Sequence, residues 1–405
     1  MITLFKQNRI RKYYYLVFLP LYFTLGLLRV LKLLPKKYIL FGAGGGSQFI
    51  DNSKYSYLLN KNQNNCIWIT HSFQVARELK NVGYRAYLSF SIHGIYFQIF
   101  SKLAIVSHGT FDLIPILLLK VSVLQYWHGC PIKKIGVDVK NKKEKSVGDK
   151  IWGIIYKVCP HLNNYYADYF VDNSKNFNYQ SSFEFGKPNY IKIPYPRLFP
   201  LYSNIKDELE IPNEQLIELR SFVSDGKKII VYMPTYRDNP IWRRVFEEQL
   251  MNLATVFGED DRFVFVYKAH FILTNRMRND KSMLFQYLNP DPYPLLELSS
   301  GLITDYSSIV FDYLPTNKPL SLFIFDKGMY QNNPGYYYDI EKLFASILAY
   351  DYKDVYENIK NEIFYEKVIN TEKGSIFNDL FYNTFYKQGP FDIQSIKYLL
   401  KSNNA

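Results

Sequence analysis

The stretch Leu302-Ile-Thr-Asp-Tyr-Ser-Ser-Ile-Val-Phe-Asp-Tyr313 decides how the chain is read. A short apolar run ends in Asp305, two hydroxyls follow, and the apolar spacing then turns helical, which spells strand, tight turn and helix start. The amides that open such a helix lack intrahelical partners and carry the positive end of its dipole. Ser307 and Ser308 therefore stand where a phosphate is stabilised. Taken alone, the stretch fits better a plainer reading in which the serines only cap the helix. Three other stretches bear on the choice: Trp127-His-Gly-Cys-Pro-Ile-Lys-Lys134, Tyr232-Met-Pro-Thr-Tyr-Arg-Asp238 and Tyr267-Lys-Ala-His270.

Outward from that stretch, apolar and β-branched runs recur at 38–41, 66–70, 86–90, 104–107, 121–127, 169–172 and 190–193. They recur again at 228–233, 263–267 and 320–325, with helical spacing between several of them, as at 242–257. This alternation predicts α/β architecture with parallel sheets covered by helices. Pro194-Tyr-Pro-Arg-Leu-Phe-Pro200 reads as a stiff crossing between an N-terminal half, 38–200, and a C-terminal half, 201–405, facing each other over a cleft. Ligands of open α/β sheets bind beyond the carboxyl ends of the strands, which is where the motifs fall. A closing helix is expected at 393–400.

The 405 residues suffice for two domains of ordinary size, and 48% hydrophobic residues mark a globular chain rather than a disordered one. A net charge of +12 calls for an anionic partner: nucleic acid, an anionic lipid surface or a phosphate-rich substrate. Charge does not choose among these, and nucleic acid has only the charge in its favour, with no nucleic-acid-binding module to support it. Cys66, Cys130 and Cys159 are odd in number and widely spaced, so neither a disulfide framework nor a structural zinc site is indicated and a reducing compartment is expected.

Residues 6–12 are basic, 13–28 carry no charge, and Arg29, Lys32, Lys36 and Lys37 restore the positive sign. The uncharged run falls short of the roughly 20 residues that span a bilayer, and Pro20 and Gly26 interrupt it. Residues 1–37 are thus expected to form an in-plane or shallowly inserted helix on the cytoplasmic face of the membrane. A helix docked on the protein itself is the alternative.

His128 follows an apolar run and precedes Gly129, which leaves its ring open to a ligand, so it is the candidate general base. His270 follows a second such run and is the candidate donor to a phosphate or departing phosphate oxygen. A core or capping role is the plainer reading for either histidine alone. Thr235 and Arg237 lie just past a strand end, where a hydroxyl and a planar guanidinium grip pyrophosphate; a local Arg237–Asp238 pair is the alternative. The lysine-rich run 133–150 reads as an exposed loop or helix start; a solvated face is the plainer reading, and beside a catalytic histidine it would attract a polyanionic acceptor or the membrane. Gly42-Ala-Gly-Gly-Gly46 lacks the dinucleotide-binding spacing and reads as a turn lining the cleft. Neither a Walker loop nor a Ser-His-Asp set nor a metal-ligand cluster is present in the sequence. No metal or cofactor is called for, and charge neutralisation falls to Arg, Lys, His and helix-start amides.

Together the four motifs resemble those of the CDP-glycerol glycerophosphotransferases of teichoic acid and related polymer synthesis. The likeness rests on Trp-His-Gly-x-Pro-x-Lys-Lys at 127–134, Pro-Thr-Tyr-Arg-Asp at 234–238, Lys-x-His at 268–270, and Asp-Tyr-Ser-Ser with Phe-Asp-Tyr at 305–313. Asp51-Asn-Ser-Lys54 adds to it, and the whole covers roughly 38–385. The resemblance implies a GT-B-type fold and peripheral membrane attachment. It also implies transfer of glycerol phosphate or ribitol phosphate from a CDP-linked donor to a lipid-linked or polymeric acceptor, with release of CMP. On that basis His128 is the base, and His270, Arg237, Thr235, Lys268, Ser307 and Ser308 serve the donor phosphates. Gly129, Lys133, Lys134, Asp305 and Asp312 are supporting candidates. Pro196-Arg197 departs from the family's Pro-Arg-Asn-Asp, because Leu198-Phe199 follow, and Phe271 stands where proline is usual. A glycosyltransferase using a nucleotide sugar and a non-catalytic membrane-surface protein are the competing classes.

Overall fold

The computed structural model describes residues 15–135, 138, 147–175, 188–202, 213–235, 237, 240–269, 284–327, 335–365, 373, 376 and 380. Runs such as Cys-Ile-Trp-Ile-Thr are buried on both faces, as strands covered by helices on each side require. In the first half the strands are β1 (Tyr38–Gly42), β2 (Cys66–Thr70), β3 (Ala86–Leu88), β4 (Ser101–Val106), β5 (Ser122–Gln125), β6 (Tyr169–Val171) and β7 (Asn189–Ile191). They form one parallel sheet in the order β3-β2-β1-β4-β5-β6-β7. The second half builds another parallel sheet, β10-β9-β8-β11-β12-β13. Its strands are β8 (Lys228–Met233), β9 (Phe263–Tyr267), β10 (Phe285–Gln286), β11 (Gly301–Thr304), β12 (Leu320–Phe323) and β13 (Leu348–Ala349). In both sheets the order reverses beside the first strand, which opens a crevice at the carboxyl ends.

The core is continuous between the halves. One cluster runs from Ile39 and Phe41 through Tyr195, Leu198 and Phe199 to Tyr293, Leu302 and Val310. The proline-rich crossing is part of that core: Pro196–Leu198 form a buried 3₁₀ turn and Phe199–Tyr202 a helical turn. The sequence reading runs β5 on to Trp127, but the strand ends at Gln125, because Trp127 takes φ +60° and leaves the extended region.

The helix Leu19–Val30 docks on the first half. Tyr22 and Leu25 join Ile114, Ile116, Leu117 and Leu162, and Gly26 lies beneath the Leu119 side chain. Arg29 turns inward and donates to the carbonyls of Leu119, Gln98 and Ile99 at 2.7, 3.1 and 2.6 Å; burial pushes its pKa down to about 10. The opposite face is apolar and exposed, with Phe23, Leu27 and Val30 on it. Among the described residues no helix is long and apolar enough to cross a membrane. Residues 1–14 and the helix expected at 393–400 lie outside the described residues.

Candidate active site

The loop after β5 carries Trp127, His128 and Gly129, and its shape is held from the first half. Trp127 has a left-handed backbone that a bulky residue adopts only when its surroundings enforce it. The enforcing group is Asn52, on the helix Asp51–Leu58, whose Nδ2 donates to the Trp127 carbonyl at 3.0 Å. Asn52 Oδ1 in turn accepts the Arg197 amide at 3.3 Å. The fully buried Arg197 guanidinium donates from Nη1 to Asp51 Oδ1 at 2.9 Å and from Nη2 to Asp312 at 2.9–3.0 Å. Burial alone would raise the Asp51 carboxyl, but Arg197 and His108 outweigh it and hold the group below its usual range. At Asp312 burial wins over Arg197 and the Tyr293 hydroxyl, and that carboxyl is raised.

His128 is exposed to solvent although protein surrounds its loop. That surrounding protein, the nearby His108 and Arg197 push its pKa below the ordinary imidazole value, toward the neutral form a base needs. Water at the exposed ring moderates the push. Gly129 has φ +129°, and a Cβ there would lie 3.0 Å from Arg197 Nη2 and 3.3 Å from the Ser308 hydroxyl. The loop carrying His128 therefore meets the loop after β11 at contact distance. Lys133 and Lys134 continue from it into the second half, not into solvent as the sequence reading expects. Lys133 bridges Tyr336 antiparallel, and the Lys134 amide donates to the Gly335 carbonyl at 2.9 Å. Paired backbone groups are the reason this basic stretch is held.

Beyond β11, Asp305 is buried and needs donors. It receives the Thr235 amide at 2.9 Å and the Thr235 hydroxyl at 2.6 Å and forms an ion pair with Arg237 Nη2 at 2.9 Å, while Arg237 Nε meets Asp326 at 2.7 Å. Thr235 and Arg237 are thus turned onto carboxylates, where the sequence reading leaves them open to a pyrophosphate; a buried acid between them takes precedence. The alternative partner Asp238 lies outside the described residues. Ser308 occupies the N-cap position of the helix Ile309–Tyr313 but makes no side-chain capping bond. Ser307 Oγ accepts the Ile309 amide at a long 3.4 Å. Capping, the plainer reading, does not describe Ser308.

Lys268 is buried over the Tyr287 ring, 5.7 Å from its centroid, and reaches no carboxylate at ion-pair distance among the described residues. Burial drives its pKa down to about 8 against the opposing pull of Asp291. Asp291 is engaged by Lys54 and by the Tyr55 hydroxyl at 2.7 Å, a second link between the halves. A buried lysine at a strand end with no ion-pair partner among the described residues suits an anion that arrives with the ligand.

Around the cleft the structure therefore gathers His128, Gly129, Ser308 and Asp312 in one group, and Thr235, Arg237 and Asp305 in another. His270 lies outside the described residues. Asn52, Arg197 and Asp326 are not among the candidates read from the sequence, although Asp326 lies shortly past the end of β12 and Asp305 directly past β11. Among the described residues no cluster of His, Cys, Asp or Glu is arranged to hold a metal ion.

Comparison with known proteins bears on this geometry. The family model for CDP-Glycerol:Poly(glycerophosphate) glycerophosphotransferase matches residues 24–388. The teichoic acid glycerol-phosphate transferase of Staphylococcus aureus is 26% identical over 393 residues, spanning 91% of this chain and 96% of the relative. The teichoic acid poly(glycerol phosphate) polymerase of Bacillus spizizenii is 26% identical over 347 residues, 78% of this chain and 81% of its own. The solved wall teichoic acid polymerase TagF superposes with a TM-score of 0.66 at 20% identity, over 93% of each chain, and so shares the fold.

Proposed function

We propose that this chain, which belongs to the CDP-glycerol:poly(glycerophosphate) glycerophosphotransferase family, transfers glycerol phosphate or another polyol phosphate from a CDP-linked donor to a hydroxyl of a lipid-linked or polymeric acceptor. It is a polyol-phosphate transferase of teichoic acid synthesis. The observation that carries the detailed reading is the approach of Gly129 to Ser308, which brings the base loop of the first half against the serine loop of the second.

The half 38–200 serves the acceptor and the half 201–405 the donor, in a GT-B-type arrangement. His128 takes the proton of the acceptor hydroxyl as its oxygen attacks the phosphorus bearing the polyol. The new O–P bond forms as the bond to the CMP oxygen breaks, and the electron pair leaves with CMP. Ser307, Ser308, Lys268 and His270 stabilise that charge, and Thr235 and Arg237 act through Asp305, whose loop they hold. Positioning and electrostatics supply most of the rate where little covalent work falls to the protein.

Membrane attachment is part of the same proposal. The helix Leu19–Val30 exposes Phe23, Leu27 and Val30, and the helix Val147–Val158 exposes Val147, Ile151, Ile154 and Val158. Both pack on one apolar cluster, and Lys32, Lys36, Lys37, Lys150 and Lys157 are exposed near them. An apolar face flanked by lysines suits the anionic cytoplasmic leaflet.

The purified full chain, given CDP-glycerol, CDP-ribitol or nucleotide sugars with an acceptor, is expected to release CMP from a CDP-polyol. Nucleotide diphosphate release from a nucleotide sugar, with no CMP, would replace this reading by glycosyl transfer. His128→Ala is expected to slow the single-turnover rate by about 10²–10⁴-fold with donor affinity nearly intact.

A further inference from the structure

The glycine loop and His108 have no part in the transfer as proposed, yet they meet beside its base. The His108 ring lies flat on that of His128, with centroids 4.9 Å apart and planes 7° from parallel. Its Nδ1 accepts the Gly44 amide at 3.0 Å, so in the neutral ring the proton sits on Nε2, which is 3.9 Å from Asp51 Oδ2. Its own backbone is pinned as well, the amide donating to Asp112 Oδ2 at 2.8 Å and the carbonyl accepting Asn164 Nδ2 at 3.2 Å. Gly44 delivers its amide from φ +62°, with a Cβ position only 2.8 Å from the Gln48 side chain, a setting that requires glycine. The glycines thus fix an imidazole, not a phosphate.

We propose that His108 is a positioning residue for the transfer step, acting on His128 as a fixed stacking platform and as the competing seat for a proton, so that an uncharged His128 faces the acceptor hydroxyl. This rests on the reading of His128 as the base. Two stacked imidazoles cannot both hold a proton without like-charge repulsion. The charged and titratable groups around His108 are His128 on its face, Asp51 across Nε2 with Arg197 behind it, and Asp112 beneath its backbone. The Asp51 carboxylate therefore acts on the pair from the His108 side. Repulsion from His108 is, after the surrounding protein, the second cause holding His128 neutral.

The test is the pH dependence of kcat/KM for the full chain with CDP-glycerol and acceptor. His108→Phe keeps a platform and removes the proton seat, so its acid limb moves to higher pH by about one unit. His108→Ala removes both and lowers kcat further than His108→Phe does, with the donor KM unmoved. An acid limb in His108→Phe that coincides with wild type, or a donor KM that rises as kcat falls, overturns the proposal. Should the variants fail to fold, NMR titration of the histidine ring carbons in the wild-type chain decides: interdependent steps for His108 and His128 support it, independent ones overturn it. His128→Ala measured alongside separates the two readings. Undiminished turnover there removes the base and this role together, whereas lost turnover with an unshifted His108→Phe profile removes only the role of His108.

Discussion

Arg197 and Asp312 form an ion pair at 2.9 Å between the end of the first half and a short helix of the second. The same guanidinium holds Asp51 at 2.9 Å. Its removal leaves two buried carboxylates without their cation, so Arg197→Ala is expected to lower unfolding free energy by about 3–5 kcal/mol. Arg197→Lys keeps the charge but not the fork, and falls between wild type and Ala. Urea unfolding of the three proteins measures this, and equal midpoints would mean the pair contributes nothing.

Ser308 presents a hydroxyl that does not cap its helix. Ser308→Ala is expected to leave the melting temperature nearly unchanged, and to weaken CDP-glycerol binding by about 1–3 kcal/mol if the hydroxyl meets a charged phosphate. Calorimetric titration gives the affinity. A drop in melting temperature with unchanged affinity would return this serine to a structural role.

Lys268 makes stability depend on pH in a direction that can be stated. Its ammonium is depressed to about 8 in the folded protein, while the unfolded chain keeps the proton to about 10.5. Between those values the unfolded state binds more protons, so stability rises with pH; below about 8 the buried charge costs roughly 3 kcal/mol. Lys268→Met is therefore expected to be more stable than wild type near neutral pH, with the gap closing as pH approaches about 10.5. Urea unfolding across that window checks it, and a constant gap would contradict it. The same variant should bind CDP-glycerol more weakly.

The exposed apolar residues of the helix Val147–Val158 give a fourth test. Ile151→Glu with Ile154→Glu is expected to reduce flotation with anionic vesicles, while shifting stability by no more than about 0.5 kcal/mol because both side chains are exposed. Full flotation by the double variant would place the membrane contact elsewhere.

The parts of the fold legible in the sequence are those carried by local chemistry. Cys66–Thr70 announces itself as five consecutive strand-formers between turn residues, and Lys228–Met233 does likewise. The two-residue edge strands Phe285–Gln286 and Leu348–Ala349 carry no periodicity to detect. Ser307, Ser308 and His128 stand out as candidates in the sequence because each lies just past an apolar run. Arg197 does not, since its carboxylate partners lie 146 and 115 positions away in the chain and its neighbours Leu198 and Phe199 read as an ordinary apolar crossing. The orientation of Thr235 and Arg237 was hidden for the same reason, Asp305 being 70 positions from Thr235.

The antiparallel bridge between Lys133 and Tyr336 constrains how the molecule can breathe. The Lys134 amide bonds the Gly335 carbonyl, and the Tyr337 amide bonds the Ile132 carbonyl, each at 2.9 Å, only a few residues beyond His128. If the halves part to admit a donor, they must break these bonds or swing about them. Swinging costs less, and it turns the segment just after His128 into the pivot of the motion. Residues nearest a pivot move least, so the imidazole would hold its place against the serine loop while the outer walls of the cleft open and close around it.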